Sequence, residues 1–158
     1  MLRRAPRSTG WYRDALTRLH VLEDQPAWAP QLRSKAVLRT SPKRHFVDPS
    51  LAVAALAVAA LGTGAQRLRT DLITLGLLFE SLVVRDLRVL AQPLDGEVFH
   101  YRDSYGAEID AIVECADGRW GASEVKLGAA QIDAAAKRLL GAVEGIDTHR
   151  IGSPRCLG

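Results

Sequence analysis

The chain has 158 residues, 47% of them hydrophobic, with 21 Lys and Arg against 18 Asp and Glu. That is enough chain for one domain, or one domain plus a fragment, with a real core, and the proportions are those of an ordinary globular protein. Cys115 and Cys156 stand far apart in no metal-like spacing, which gives no support to a disulfide framework or zinc site and makes a reducing compartment, the cytoplasm, the default expectation. The net charge of +3 is unevenly spread: residues 1–45 hold ten basic against three acidic side chains. A basic first third suits a nucleic-acid or phosphate partner, and equally a solubilising surface.

The first ten residues, MLRRAPRSTG, lack the apolar run of a secretory signal, and Pro6 and Gly10 break the helix of a transit peptide. Ser8 or Thr9 can cap a helix from about Gly10 to Leu22, with Trp11, Ala15, Leu19 and Leu22 on one face. Asp24 to Pro30 forms a Pro-rich turn in which Trp28 is an anchor into the core. The most basic stretch follows, with Ala36 to Leu38 as a short strand and Arg33, Lys35, Arg39, Lys43 and Arg44 as candidate phosphate contacts or a charged exposed edge. His45 to Val47 is a second short strand, and Asp48-Pro49-Ser50 starts a helix. The apolar run from Leu51 to Leu61 stops far short of the roughly 20 residues that span a membrane. It is expected as a buried core helix in a protein with no membrane partner.

A longer helix is expected from about Asp71 to Ala91, capped by Thr70. Glu80 shares its helical row with Ile73, Gly76, Val84, Leu87 and Ala91, so a carboxylate projects from a face that should be buried. Such a group needs a counter-charge, a proton or a metal; Arg102 is one candidate partner. Glu97 to Arg102 then opens a meander whose next strands run from Glu108 to Glu114 and from Arg119 to Lys126. A three-residue loop of Ala116, Asp117 and Gly118, with Gly left-handed, pairs Cys115 with Arg119. The same register sets Asp110 opposite Glu124 and Glu108 opposite Lys126. The other face of that strand, Ala107, Ile109, Ala111, Val113 and Cys115, is apolar throughout. A last helix from Ala129 to Glu144 has Ile132, Ala136, Leu139, Leu140 and Val143 as its buried stripe, with Gln131 on the first turn.

Glu80 on a helix, Asp110 in one strand and Glu124-Val125-Lys126 at the end of the next resemble the PD-(D/E)XK nuclease superfamily. The resemblance implies a mixed α/β (α+β) fold, a restriction-endonuclease-like core with a short, mostly antiparallel sheet flanked by helices. It also implies Mg2+ held by Glu80, Asp110 and Glu124, with Asp110, Glu124 and Lys126 catalytic and Gln131 auxiliary. Carboxylates from separate elements suit a hard cation, which polarises a phosphodiester and acidifies water. Ile109 stands where the superfamily name has Pro.

The runs WYRDALTRLHVLEDQPAWAP, SPKRHFVDPSLAVAAL, LGLLFESLVVRDLRVLAQ and HYRDSYGAEIDAIVECADGRWGASEVKLG are similar to the C-terminal domain of unknown function, DUF4143-type, of prokaryotic AAA-type ATPases. This resemblance implies a partial winged-helix-like segment over residues 1–47 and a nuclease-like domain over 48–158, shortened at its C-terminus. There is no G-x-x-x-x-G-K-[ST] in the chain, so no ATP site is expected and an ATPase partner would be a separate chain. Three readings remain open: a Mg2+-dependent nuclease acting on DNA or another nucleic acid, a non-catalytic interaction or regulatory module, and an inactive remnant. For Asp110, Glu124 and Lys126 the alternative to a metal site is a cross-strand salt-bridge ladder on a solvated face.

Overall fold

The computed structural model describes residues 7–29, 41–59 and 65–146. The expected strand at Ala36 to Leu38 and the candidate contacts Arg33, Lys35 and Arg39 lie outside the described residues. The elements in order are α1 (Arg7–Arg18), β1 (Leu22–Gln25), β2 (Lys43–Phe46), α2 (Pro49–Ala59), α3 (Ala65–Leu68), α4 (Leu72–Ala91), β3 (Glu97–Arg102), β4 (Glu108–Glu114), β5 (Trp120–Ser123) and α5 (Ile132–Glu144). The fold is mixed α+β, with a two-stranded antiparallel sheet β1-β2 and a three-stranded antiparallel sheet β3-β4-β5.

The larger sheet is sandwiched between two helices. On one side Val98, Ala111 and Val113 pack against Val84 and Ala91 of α4. On the other, Tyr101, Ile109, Ile112 and Trp120 pack with Trp28 and with Ala142 of α5 and Ile146 just beyond it. Ile109 and Ile112 are fully buried, and each contributes about 1.5–3 kcal/mol through burial. Trp28 is the core anchor its sequence context suggests: its ring lies 4.7 Å from that of Trp120, and its Nε1–H donates to a Glu114 carboxylate oxygen at 2.8 Å.

The β4-β5 register matches the count across the turn. Glu114 faces Trp120 and Ala111 faces Ser123, with Gly118 at φ 79°. The strand ends earlier than expected, at Ser123 rather than Lys126, so Glu124 and Lys126 sit just past the ladder. The face assignment of β4 is corrected. Phe99 pairs with Ile112 but Tyr101 pairs with Ile109, so Asp110 and Ala111 together oppose His100. This bulge inserts one residue and resets the alternation. Ile109 and Ile112 therefore share the α5 side, whereas Ala111 and Val113 turn to α4 instead of joining Ile109 in one apolar row.

Four other expectations change. α1 starts at Arg7, which puts Ser8 and Thr9 inside the helix rather than capping it. It ends where His20 takes a left-handed φ of 54°, which closes a helix C-terminus. Trp11 and Leu19 are exposed, and Leu22 belongs to β1. α2 is apolar all round but not buried all round: Ala52 is buried while Leu51 and Leu56 are exposed, because among the described residues its packing is against α4 and β2 on one side. α4 is capped by Asp71, whose carboxylate accepts from the Thr74 N–H at 3.1 Å, not by Thr70. Its buried residues are Leu78, Ser81, Val84 and Ala91, and Ile73 is exposed. In α5 the buried stripe runs through Ala135 and Ala142, flanked by half-buried Leu139 and Val143, while Ile132, Ala136 and Leu140 face outward. No helix among the described residues is long and apolar enough to cross a membrane.

Candidate functional site

The β1-β2 hairpin, α4 and the end of the β4-β5 pair meet around one cleft of about 840 Å³, lined by Lys43, Glu80, Glu108, Asp110, Glu124 and Lys126. That volume is in the range of small-molecule and cofactor sites. Each side chain is set by its backbone. Glu80 lies one residue before buried Ser81 on α4, at the boundary of the packed stripe. The β4 bulge turns Asp110 to the α4 side of the sheet. Chain exit from β5 carries Glu124 and Lys126 together, two residues apart.

Two ammonium groups organise the carboxylates. Lys43 Nζ donates to Glu80 Oε1 at 3.0 Å and Asp110 Oδ1 at 3.1 Å, with Glu108 Oε1 at 3.4 Å. Lys126 Nζ donates to Glu124 Oε1 at 2.7 Å and the Val125 carbonyl at 2.9 Å, and lies 3.4 Å from Asp110 Oδ2. Asp110 is the shared member, its Oδ2 also accepting from the Val125 N–H at 3.0 Å. So the structure brings Glu80, Asp110, Glu124 and Lys126 into one site, and Glu80 is partnered by Lys43. Arg102 is instead 4.0 Å from Glu108 at the outer edge.

The electrostatics follow from partial burial plus pairing. Burial works against the Lys43 ammonium, but Glu80 and Asp110 outweigh it and hold its pKa above the usual lysine value. Burial pushes the Asp110 carboxyl up; the Val125 N–H, Lys43 and Lys126 more than offset this and hold it below the usual carboxylate value. Lys126 is raised in the same way as Lys43, burial opposing and Glu124 and Asp110 prevailing. Both lysines are thus charged at neutral pH and Asp110 is ionised.

Two features bear on whether a hard cation fits. Among the described residues Glu124 Oε2 is buried without a hydrogen-bond donor, an acceptor that a protein normally satisfies. The inner three carboxylates also outnumber the two ammonium groups by one. Against direct coordination, no three His, Cys, Asp or Glu residues among those described surround a common ion position, since Lys43 Nζ stands between Glu80 and Asp110. The donor set is all carboxylate oxygen, which suits Mg2+, provided Lys43 moves aside.

The remaining candidates are placed as follows. Gln131 is exposed on the 3-10 turn Ala129–Gln131 and lines a neighbouring groove that reaches Glu80, Asp110 and Lys126. Lys43, expected as a phosphate contact on a basic surface, points inward to the carboxylates. Arg44 is exposed at the cleft rim and pairs with Asp24 at 3.3 Å. Sequence reasoning missed the inward role of Lys43 and the membership of Glu108. The signal was available in the spacing: Lys43 and His45 alternate in β2 opposite Gln25 and Glu23 of β1, a polar face whose period marks a strand.

No curated protein and no solved structure matches the chain. Residues 6–62 match the family model described as a domain of unknown function, DUF8612. Residues 75–151, which include Glu80, Asp110, Glu124, Lys126 and Gln131, match that of a domain of unknown function, DUF4143.

Proposed function

We propose that the cleft is a nuclease-like site that binds a nucleic-acid phosphodiester and hydrolyses it with Mg2+. The observation that carries this is that a helical acid, a strand acid and an acid-x-Lys pair line one cleft, with Lys126 hydrogen-bonded to Asp110 and Glu124. That is the arrangement implied by the PD-(D/E)XK resemblance, extended to the C-terminal domains of AAA-type ATPases. Glu80, Asp110 and Glu124 would hold the cation, which when bound supplies Lewis acidity and an acidified water. Lys126, kept charged by Glu124 and Asp110, orients the attacking water and stabilises charge developing on the phosphoryl oxygens. Arg44 and Arg138 at the rim offer donors to flanking phosphates. Lys43, released from Glu80 and Asp110, joins them.

One observation favours a second reading, a non-catalytic binding module: Lys43 and Lys126 already neutralise much of the acidic charge. A cleavage assay on single- and double-stranded DNA and RNA, with and without Mg2+ and Mn2+, separates the two. The hydrolase reading requires metal-dependent cleavage abolished by Asp110→Ala and by Lys126→Ala. Salt-sensitive binding without cleavage supports the module. Cleavage that survives Lys126→Ala sinks the assigned chemistry.

A further inference from the structure

Behind the cleft runs a buried polar chain that no motif anticipates. Gln25 of β1 is fully buried, and its Nε2 amide donates to the Phe99 carbonyl at 2.9 Å and the Asp110 carbonyl at 3.1 Å. Its Oε1 lies 2.9 Å from His45 Nε2, and His45 Nδ1 lies 3.2 Å from Ser81 Oγ. The amide orientation is fixed by the two carbonyls, which accept from its NH2 and not from its oxygen, so Oε1 must accept a hydrogen bond from His45 Nε2–H. Burial, with the charges of Lys43 and Arg88, lowers the His45 pKa to about 4. The ring is thus neutral at pH 7 with its proton on Nε2, and Nδ1 lies against the Ser81 hydroxyl, whose single proton it shares with the Leu77 carbonyl 3.0 Å from Ser81 Oγ. The chain runs from Ser81 through His45 and Gln25 to the backbone of Asp110, with its direction fixed from His45 onward.

Its two ends are significant. Ser81 is the neighbour of Glu80 on α4, and the far end grips the bulge whose extra residue turns Asp110 toward the cleft. A bulge leaves the strand ladder locally disrupted, and a buried carbonyl without a donor is destabilising. Gln25 supplies the donor. Both hydrogen-bonding residues of the hairpin lie in the region matched over 6–62, and the carboxylates they serve lie in that matched over 75–151.

We propose that Gln25 and His45 are positioning residues that fix the β4 bulge, and through it aim the Asp110 carboxylate at the Val125 N–H and the two lysines. This deepens the assignment of Asp110 to the site and rests on that assignment, but not on cleavage. The bond from Val125 N–H to Asp110 Oδ2 is its reporter, because an amide donating to a carboxylate has a distinct proton chemical shift.

The test is an amide NMR spectrum of the full chain, without metal or nucleic acid. Asp110→Ala supplies the shift of the Val125 amide when the bond is lost. Gln25→Met keeps the length and bulk of the side chain and removes its hydrogen bonds. It is expected to move the Val125 resonance at least half the way to the Asp110→Ala position, and to lower Val125 hydrogen-exchange protection about tenfold more than that of Ile112, an opening difference of about 1.4 kcal/mol. Ile146→Ala, which loosens the opposite side of the sheet, should leave the Val125 resonance in place. Should Gln25→Met fail to fold, Ser81→Ala at the outer end of the chain should produce a smaller shift in the same direction. A Val125 resonance unmoved in the folded Gln25→Met protein, or unmoved in Ser81→Ala where that is the variant available, overturns the proposal. An equal displacement by Ile146→Ala does so as well. None of these readouts depends on whether the cleft hydrolyses anything.

Discussion

Replacing Lys43 with Met asks directly whether the carboxylates can hold a cation. The substitution keeps most of the aliphatic stem and removes an ammonium that lies 3.0 Å from Glu80, 3.1 Å from Asp110 and 3.4 Å from Glu108. At an effective dielectric near 20, one such contact at 3 Å is worth about 5 kcal/mol of Coulomb attraction. Desolvation takes back much of it, and removing one partner of a buried pair costs about 3–5 kcal/mol net. The three principal side chains keep 23%, 19% and 13% of their exposure, so water softens the loss and about 2–3 kcal/mol is expected. The vacated carboxylates then carry excess negative charge, and Mg2+ should enter without displacing a lysine. A site filled at about 100 times its dissociation constant gains about 2.7 kcal/mol. The assay is urea unfolding in MgCl2 against NaCl of equal ionic strength. Lys43→Met should lose stability in NaCl and recover most of it in MgCl2, whereas the wild type, which must expel Lys43 first, should gain less. A Lys43→Met midpoint equal in the two salts would falsify the cation site.

Other expectations concern pH, packing and turns. His45 titrates near 4 in the fold and near 6.5 when unfolded, so the unfolded chain binds more protons in between. Stability is therefore fully present above about pH 6.5 and falls by about 3 kcal/mol as pH drops to about 4. His45→Gln should flatten that limb in urea titrations at pH 7 and 4.5, leaving the smaller share of His100, which burial also depresses. Ile112→Ala, at a fully buried position of the α5-side core, should cost about 2–5 kcal/mol, seen as a lower denaturation midpoint with unchanged slope. Gly118 has φ 79° and open space where a Cβ would go, so Gly118→Ala is a pure backbone penalty of about 1–2 kcal/mol. Gly141→Ala, with the same open space inside α5, should raise thermal stability by about 0.5–1 kcal/mol. Opposite signs for these two glycines check that backbone conformation, not packing, is at work.

The local signals in the second half of the chain were strong enough to be read. Alternation over Glu97 to Glu114, a loop ending in Gly118, and an acid out of place in an apolar helix led to β3, β4, the hairpin register and Glu80. The β4 bulge was not legible, because a bulge is a local exception to the period-two rule on which the reading rests. Asp110 reached the cleft side with Ala111 and Val113 beside it, where simple alternation puts them on opposite faces. β1 was hidden for a related reason: Glu23 and Gln25 alternate, but with polar residues inward, so Leu22 was assigned to a helix and Gln25 to a turn. Periodicity identifies a face and assumes that the apolar one is buried. A polar face buried against other polar groups inverts that assumption. In α5 the error is one of phase, since an Ala-rich helix offers several near-equivalent apolar stripes; in α1 the expected face is half-buried only at Ala15.

That inverted hairpin face explains why the cleft and the fold cannot be separated. Glu23 pairs with Arg88 of α4, Gln25 and His45 bridge the β4 bulge to Ser81, and Lys43 joins Glu80 to Asp110. All four hairpin residues lie on one side of β1-β2, and each makes its bond to α4, to β4 or to the other hairpin strand. A two-stranded ribbon is marginal by itself, so its polar face is held by these charge-assisted and buried hydrogen bonds as much as by apolar contact. The same bonds set the distance between the Glu80 backbone on α4 and the Asp110 backbone on β4. Carboxylates separated in sequence can share one cation only if the elements carrying them are fixed to a few tenths of an ångström. In this chain the hairpin is the element that fixes them, with the Lys43 ammonium standing between Glu80 and Asp110.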